Sequence, residues 1–335
     1  MRHRWFLGAL ALLAALFTAS VASLPVRADT LITAGADKKV KLWNLPDGTL
    51  IKSIDAHDSA VNALAVSPDG KTLVTGGDDK RVKLWSLPDG TLQKSFQAHN
   101  GAVLSVAYLS DGSKLITGGA DKTVKVWSPD GSKLLATIPT DGRILRVFSV
   151  MGFVVCGTAT HLEVWDTTGT SIYHLPTEHT GGMTSITSNP TTPGVYTGGA
   201  DGKIKSWSQS AGGSQIFDGD QDSSVTALAA TPDGNRLFSG GANGKVKIWN
   251  PDSLKQVGDP VIAHEGAVNT IVAAPDGKTF YSGGADKKVK VWSREGKLVK
   301  TIDAHDGAVT AIVYLAPPAK AEKKEGEAPA APGKK

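Results

Sequence analysis

Residues 57–96 read HDSAVNALAVSPDGKTLVTGGDDKRVKLWSLPDGTLQKSF, and the pattern within them indicates the fold class. It contains four short segments separated by turn sequences, and the first of them is small and apolar. The turn at 68–70 (Pro-Asp-Gly) combines a residue that presets φ, one that caps its own backbone and one that accepts the exit angle. The segment at 82–85 (Val-Lys-Leu-Trp) alternates with the period of two that is typical of a strand. The unit therefore predicts four antiparallel strands and no helix.

This unit repeats along the chain with a tryptophan as its marker. The spacings between successive tryptophans are 42, 42, 38, 42, 42 and 43 residues. A period of this length with four strands per unit is typical of a β-propeller blade, and it excludes solenoids built on helix pairs. The seven marker residues are Trp43, Trp85, Trp127, Trp165, Trp207, Trp249 and Trp292.

The first and last units are incomplete in a complementary way. Residues 31–35 have the pattern of a second strand, and residues 308–313 have that of a first strand. Because neither segment can complete a blade alone, we expect them to share one blade, with its innermost strand from the C-terminal side. Such closure removes exposed sheet edges. The sequence thus predicts one all-β domain over residues 29–315, a seven-bladed β-propeller of four-stranded antiparallel blades.

Four positions recur inside the unit and are filled first by His57, Thr75, Asp79 and Trp85. In this pattern the units resemble WD40 repeats, and the resemblance covers essentially all of residues 29–315. The resemblance implies a hydrogen-bonded chain inside each blade. A catalytic triad is needed once per active site, whereas this set recurs in five blades, so we predict a structural role. The other sets are His99, Thr117, Asp121, Trp127; His179, Thr197, Asp201, Trp207; His264, Ser282, Asp286, Trp292; and His305 with Thr33, Asp37, Trp43.

The unit over residues 141–176 departs most from the pattern. It keeps Trp165 but has Val155 and Ala159 where the hydroxyl and the aspartate are expected, with Asp141 near the histidine position. Loss of the internal network could have released this blade to bind a ligand, or the blade could have drifted, and both interpretations stay open. Its side chains without repeat equivalents are Arg143, Arg146, His161 and Glu163.

The next unit keeps Ser239 and Trp249, and an acidic turn precedes it. Asp218, Asp220 and Asp222 alternate along this turn. Alternating carboxylates suit calcium, which takes six to eight oxygen ligands. The helix–loop–helix calcium motif would require glycine at 223 and glutamate at 229, where the sequence has serine and alanine. The alternative is a plain acidic turn in which one aspartate, Asp222, partly replaces the missing histidine.

Motifs for catalysis or cofactor binding are not found. The sequence has no Gly-x-Gly-x-x-Gly, His-Glu-x-x-His or Gly-x-Ser-x-Gly. The lone Cys156 lies in a second strand and is predicted to be a buried apolar residue. We therefore predict no catalytic residue, cofactor or metal, and a non-enzymatic protein–protein scaffold. The alternative is a propeller enzyme, or a ligand- or metal-binding protein, that uses the channel mouth.

The residue after each histidine is expected to open onto the narrow face around the central channel. The WD40 resemblance implies that such loops dock peptides and partner domains. Their partly acidic character favours a basic or polar protein partner on a monomeric ring. These residues are Asp58, Asn100, Thr180, Glu265 and Asp306. The lysines two positions before most marker tryptophans are expected to be solvated.

The two ends have compositions unlike the repeats. Residues 1–28 combine basic residues, an apolar run and small residues, the layout of a cleaved secretory signal peptide. A periplasmic or secreted protein is expected, without a membrane span after cleavage. The alternative is an uncleaved inner-membrane anchor, because residues 5–26 carry no charge and a span needs about 20 residues. Residues 316–335, rich in Ala, Pro, Lys and Glu, predict a disordered tail.

Net charge gives no argument for nucleic-acid binding. The chain carries a formal net charge of +4. Residues 1–28 contain three arginines and no acid, so without them the charge falls from +4 to +1. The basic balance is largely a property of that segment, and no nucleic-acid partner is predicted.

Overall fold

The computed structural model describes residues 29–208, 213–217 and 221–316. Within these ranges the chain forms strands and no helix, in seven antiparallel sheets. The described part of the chain accordingly has no helix long and apolar enough to cross a membrane. The prediction of an all-β, seven-bladed propeller is confirmed.

Strands are numbered in chain order, and blades are numbered from the first complete one. Within a blade the strands are a to d from the central channel outwards. Blade 7 contains β1 Thr30–Gly35, β2 Lys39–Asn44, β3 Thr49–Asp55 and, as strand a, β29 Val309–Leu315. Blade 1 contains β4 Val61–Val66, β5 Thr72–Gly77, β6 Arg81–Ser86 and β7 Leu92–Gln97. Blade 2 contains β8 Val103–Tyr108, β9 Leu115–Gly119, β10 Thr123–Trp127 and β11 Leu134–Pro139.

The remaining blades follow the same order along the chain. Blade 3 contains β12 Ile144–Val150, β13 Phe153–Thr158, β14 His161–Trp165 and β15 Ser171–Pro176. Blade 4 contains β16 Met183–Ser188, β17 Gly194–Gly199, β18 Ile204–Ser208 and β19 Gly213–Ile216. Blade 5 contains β20 Val225–Ala230, β21 Leu237–Gly241, β22 Lys245–Asn250, β23 Lys255–Gln256 and β24 Val261–Ile262. Blade 6 contains β25 Val268–Ala273, β26 Thr279–Gly284, β27 Lys288–Ser293 and β28 Leu298–Asp303.

Blade 7 is shared between the two ends of the propeller. Strand β29 pairs antiparallel with β1, from Thr30 opposite Leu315 to Gly35 opposite Val309. The sheet order is β29-β1-β2-β3, so the innermost strand comes from the C-terminal side as predicted. The pairing gives β1 a neighbour on both sides and closes the ring.

Blade 5 differs from the four-strand plan at its outer edge. Its outer strand is split into β23 and β24, both of which pair with β22. Gly258, with a φ of +68°, and Pro260 lie between the two pieces. Proline cannot donate a ladder hydrogen bond, so the break falls on an edge strand, where its cost is small.

Hydrophobic contact between neighbouring blades forms the core. Ile32 of blade 7 and Leu73 of blade 1 are fully buried, and Trp85 joins them in one cluster. Strand b is covered on both faces, strand a is half-buried where it lines the channel, and the outermost strands are largely exposed, as in β3. Each blade thus buries one face against each neighbour, as repeat architectures require.

Two consecutive glycines end strand b in most blades. At both positions neighbouring side chains approach the backbone too closely to leave room for a Cβ. A Cβ on Gly76 would lie 2.6 Å from Val103 Cγ1 of the next blade. A Cβ on Gly77 would lie 2.7 Å from His57 Nδ1. Blade 3 has Thr158 at the register position of Gly77, and there Asp141 and not a histidine lies near the network position. The glycine is therefore required where the buried histidine is present.

We expect Gly77→Ala to destabilise the protein by about 1–3 kcal/mol, because the new methyl group displaces the His57 ring from its hydrogen bonds. Gly142→Ala is a matched control, since its Cβ would make an ordinary 3.4 Å contact with Thr158 Cβ. The measurement is equilibrium unfolding in urea. Equal unfolding midpoints for the two variants would contradict the steric argument.

Candidate interaction surface

A buried hydrogen-bonded chain runs through blade 1. Trp85 Nε1 donates to Thr75 Oγ1 over 3.0 Å, and Thr75 Oγ1 lies 2.7 Å from His57 Nε2. His57 Nδ1 lies 2.9 Å from both carboxylate oxygens of Asp79. A carboxylate only accepts, so Nδ1 carries the proton and Nε2 accepts from the threonine hydroxyl. The chain therefore holds a neutral imidazole in one tautomer.

The same chain is present in four further blades, as the repeat predicts. His Nε2 lies 2.7–2.9 Å from the hydroxyl oxygen in each of them. The indole nitrogen lies 2.8–3.0 Å from the same oxygen. Every ring nitrogen of these histidines is engaged, which leaves none available to a substrate. The histidines are His99, His179, His264 and His305.

In blade 5 a glutamine takes the histidine position. Gln221 is fully buried, its side-chain oxygen accepts from Ser239 Oγ, and Trp249 Nε1 donates to Ser239 Oγ over 2.7 Å. The prediction that Asp222 replaces the missing histidine is wrong. Asp222 is exposed, with its carboxylate 3.0 Å from Lys247 Nζ. An amide can accept and donate in the same geometry as a neutral imidazole, which explains the exchange.

These networks predict a fold that is destabilised by acid. Burial lowers the pKa of the five network imidazoles, and their aspartate partners only partly oppose this. Burial would raise the pKa of the Asp79 carboxyl, but hydrogen bonds from His57 and from backbone amides lower it below its usual range. Folding therefore favours neutral histidine and ionised aspartate.

We expect the free energy of unfolding to fall as the pH drops below about 6.5. In this range the histidines of the unfolded chain bind protons, whereas the buried imidazoles of the native protein stay neutral. Each histidine contributes up to about 1.4 kcal/mol per pH unit, and further loss follows below about pH 4 as Asp37, Asp79 and Asp121 protonate. Urea unfolding at pH 5–8 measures the slope. His57→Gln, which copies the blade 5 arrangement, should reduce the slope by one histidine. An unchanged slope would contradict this explanation.

The network aspartates also hold the loops of one face of the ring. The backbone amide of Asn100 donates to Asp121 Oδ2 over 2.9 Å, and that of Asp306 donates to Asp37 Oδ2 over 3.0 Å. We call the face formed by these loops and the b–c turns the top face. The residues fixed in this way have exposed side chains: Asp58, Asn100, Thr180, Glu265 and Asp306. Each of these loops leads into strand a of a blade. Their placement on the narrow face around the channel stays a prediction.

The top face carries lysines beside these acids. The b–c turns place one lysine at positive φ, between 61° and 71°, in each of four blades. The backbone carbonyl of Lys38 accepts from the amides of Ala56 and His57, so the turn lies against the acidic loop. The face is thus of mixed charge, and the exposed lysines are Lys38, Lys80, Lys122 and Lys287.

Five of the six lysines at this position of strand c have their ammonium group bound to the loop before strand a, which corrects the prediction that they are solvated. Lys83 Nζ donates to Ala56 O over 2.7 Å, and Lys205 Nζ donates to Glu178 O over 2.8 Å. Only 4% of the surface of Lys205 is exposed to solvent. Period-two alternation directs these side chains away from the core face of the strand, so solvent is expected around them. In the structure the loop before strand a lies over them instead. They tie that loop to its blade.

The central channel contains one unusual charge. It has a volume of about 430 Å³ and is lined by the first strands of all blades. Arg146 is the sole charged side chain among these lining residues. Its surface is open to the channel, but the surrounding strands displace bulk water and lower the pKa of its guanidinium. The channel therefore offers a positive charge in a confined, otherwise neutral space.

Blade 3 departs from the others in a different way from that predicted. Cys156, not Val155, occupies the hydroxyl position, because the b–c turn is one residue shorter and Cys156 pairs with Glu163 as Thr75 pairs with Lys83. Cys156 is fully buried, as predicted, and burial raises the pKa of its thiol.

Three polar side chains meet on the surface of blade 3. Asp141 Oδ2 lies 3.1 Å from His174 Nε2 and 3.5 Å from His161 Nδ1. The two imidazole rings stack with centroids 4.2 Å apart. Sequence reasoning singled out Asp141 and His161 but missed His174, because strand d pairing cannot be read from the repeat.

The acidic turn at 218–222 is only partly described. Asp218 and Asp220 lie outside the described residues, and of the three aspartates only Asp222 has a defined environment, beside Lys247. The calcium hypothesis for this turn stays a prediction.

Comparison with known proteins decides the family. The family model "WD domain, G-beta repeat" (WD40) matches residues 48–86, 90–128, 169–208, 214–250 and 257–293. Together these segments cover more than half of the chain. The chain belongs to the WD40 repeat family. The matches leave out residues 129–168, which include most of blade 3, so the departure of this WD40 blade is visible in the sequence as well.

A second similarity is local. Over 43 residues the chain is 44% identical to "Small ribosomal subunit protein RACK1y" of Oryza sativa subsp. japonica. The match covers 13% of this chain and 13% of that relative, about the length of one WD40 repeat. It supports the repeat assignment and carries no more than that.

Proposed function

We propose that this WD40 propeller is a non-enzymatic platform for a protein partner, which it binds through its top face. WD40 propellers are typically interaction scaffolds. The observation that carries the proposal is the division between buried and exposed polar groups. The repeated histidines, hydroxyls and aspartates satisfy one another inside the blades, while the residue after each histidine is held rigidly with its side chain in solvent.

The partner surface is basic or polar. Asp58, Glu265 and Asp306 project from three successive blades of the ring, 6, 7 and 1, and their loops are fixed by the network aspartates. Rigid presentation reduces the entropy lost on binding. The neighbouring lysines would repel a partner surface that carries basic groups alone. A partner with both basic and acidic groups therefore fits best.

Residues 1–28 support an extracytoplasmic setting for this platform, with cleavage favoured over an uncleaved anchor. They lie outside the described residues, and the proposal rests on their composition alone. Intact mass spectrometry of the protein from its host would show a chain that lacks about the first 28 residues. A full-length chain in the membrane fraction would favour the anchor.

Crosslinking in the native host followed by mass spectrometry tests the binding proposal. The decisive variant carries Asp58→Lys, Glu265→Lys and Asp306→Lys. Its matched control reverses three exposed acids away from the top face, Asp252, Asp259 and Glu295. We expect a recurrent partner to be lost with the first set and kept with the second. Equal capture by both variants would exclude the top face as the binding surface.

A ligand-binding or enzymatic function at the channel is the second candidate, favoured by one observation. Arg146 is the sole charge among the channel-lining residues, which suits a small anion. Thermal stabilisation by small dicarboxylates such as succinate, lost in Arg146→Gln, would support this candidate. An identical response of the two proteins would exclude it.

A further inference from the structure

The three side chains on the surface of blade 3 have donor atoms arranged as metal ligands. The donor atoms of Asp141, His161 and His174 all lie within 4.8 Å of one another. Two of the three separations are 3.1 and 3.5 Å. In a tetrahedral zinc site with bonds of about 2.0–2.1 Å, neighbouring ligand atoms are about 3.3–3.4 Å apart. The two measured separations lie on either side of this value.

We propose that Asp141, His161 and His174 bind a zinc-type divalent transition-metal ion. Two imidazoles and one carboxylate favour zinc or a similar ion over calcium or magnesium, which prefer oxygen ligands. Three protein ligands leave a fourth position open. Side-chain exposure of 55% for Asp141 and 46% for His174 places that position toward solvent, where water or a partner residue completes the coordination.

A buried carboxylate beside the site is the second, independent observation. Glu163 is 3% exposed, and its Oε1 has no hydrogen-bond partner. It lies opposite His174 in the β14–β15 ladder, and the backbone amide of Asp141 donates to it. A cation bound by His174 and Asp141 supplies the positive charge that this carboxylate lacks.

The substitutions that create the site are concentrated in blade 3. The ladder position of Glu163 is lysine in the other six blades. The position of His174 is serine or threonine in four of them, namely Ser53, Ser95, Thr137 and Thr301. The position of His161 is Lys39 in blade 7 and Arg81 in blade 1. At these three positions blade 3 therefore has a carboxylate and two imidazoles, where other blades have cationic and hydroxyl groups.

The other described histidines cannot compete for the metal. Each of the five network histidines has both ring nitrogens engaged, one with an aspartate and one with a hydroxyl. The residues of the blade 3 site lie on paired strands or next to them, which keeps the donor atoms in place. The described histidines of the other blades are therefore not expected to bind zinc.

Calorimetric titration of the untagged, chelator-treated protein with zinc chloride tests the proposal. We expect one zinc ion per chain, with no saturable binding in the double variant His161→Gln/His174→Gln. Glu163→Gln should weaken binding by about 10–100-fold. Asp303→Asn, an exposed carboxylate of blade 6, is the matched control and should bind as the wild type does. The double variant keeps His3, which lies outside the described residues, so any zinc binding by His3 would remain in that variant.

Two further readouts keep the test independent of variant folding. Cobalt bound to the wild-type protein should show the visible absorption of a tetrahedral site. Zinc should protect His161 and His174 from diethyl pyrocarbonate, as mapped by mass spectrometry. Absence of saturable binding to the wild type, or equal affinity in the double variant, would overturn the proposal. Unprotected histidines at saturating zinc would do the same.

Discussion

Deletion of residues 308–335 is expected to abolish the folded ring. The deletion removes β29, which pairs with β1 along its whole length. Val309 is fully buried, and its Cγ1 fills the space where a Cβ on Gly283 would lie. Thr310 Oγ1 donates to Val61 O, so β29 also ties blade 7 to blade 1. Without the strand, blade 7 loses these contacts with blade 6 and blade 1. The edge of β1 is then exposed and can pair with other chains, which leads to aggregation.

Far-UV circular dichroism and size-exclusion chromatography measure this effect. The deletion protein should lack a cooperative unfolding transition and elute as aggregate. Deletion of residues 317–335 alone is the control, because β29 ends at Leu315, and this protein should unfold as the full chain does. A monomeric 308–335 deletion with an unchanged transition would mean that the ring does not depend on closure by β29.

Thr75→Val should have the largest effect of any single substitution considered. Valine keeps the shape of threonine, but it removes the oxygen that joins His57 Nε2 and Trp85 Nε1. Thr75 is fully buried, so water cannot replace the hydroxyl. Each buried group left without a partner costs about 1–3 kcal/mol, and two such groups predict a loss of about 2–6 kcal/mol. Urea unfolding measures it.

Thr75→Ser is the control for this substitution. Blade 6 uses Ser282 for the same two contacts, at 2.7 Å from His264 and 2.9 Å from Trp292. The serine variant keeps the oxygen and loses one methyl group, so we expect a cost of about 1 kcal/mol. If valine and serine destabilised the protein equally, packing and not the hydrogen-bonded chain would explain the effect.

The fold could be predicted from the sequence because period and local pattern agree in almost every unit. His57 precedes Trp85 by 28 residues, and the same count before Trp249 reaches Gln221, not Asp222. This spacing identifies Gln221 as the equivalent of the histidine, because a glutamine amide can make the same hydrogen bond to the hydroxyl. In blade 3 the count fails, since the shorter b–c turn shifts the hydroxyl position from Val155 to Cys156.

The blade 3 cluster could not be predicted fully, because it depends on strand pairing. Asp141 precedes strand a, His161 begins strand c and His174 lies on strand d. Their proximity follows from the register that sets Glu163 opposite His174. The covered lysines of strand c were mispredicted for a similar reason. Alternation shows which way a side chain leaves its strand, but it does not show that a loop from the same blade lies over it.

We propose a division of roles, in which the repeated buried groups hold the ring and the exposed top-face residues bind the partner. One measurement tests it most directly: the affinity for the captured partner and the free energy of unfolding, determined for two variants under conditions where both are folded. We predict that Thr75→Val keeps its affinity and loses stability, while the Asp58/Glu265/Asp306 reversal keeps its stability and loses at least about tenfold in affinity. The claim would be contradicted if folded Thr75→Val lost binding or if the reversal bound normally.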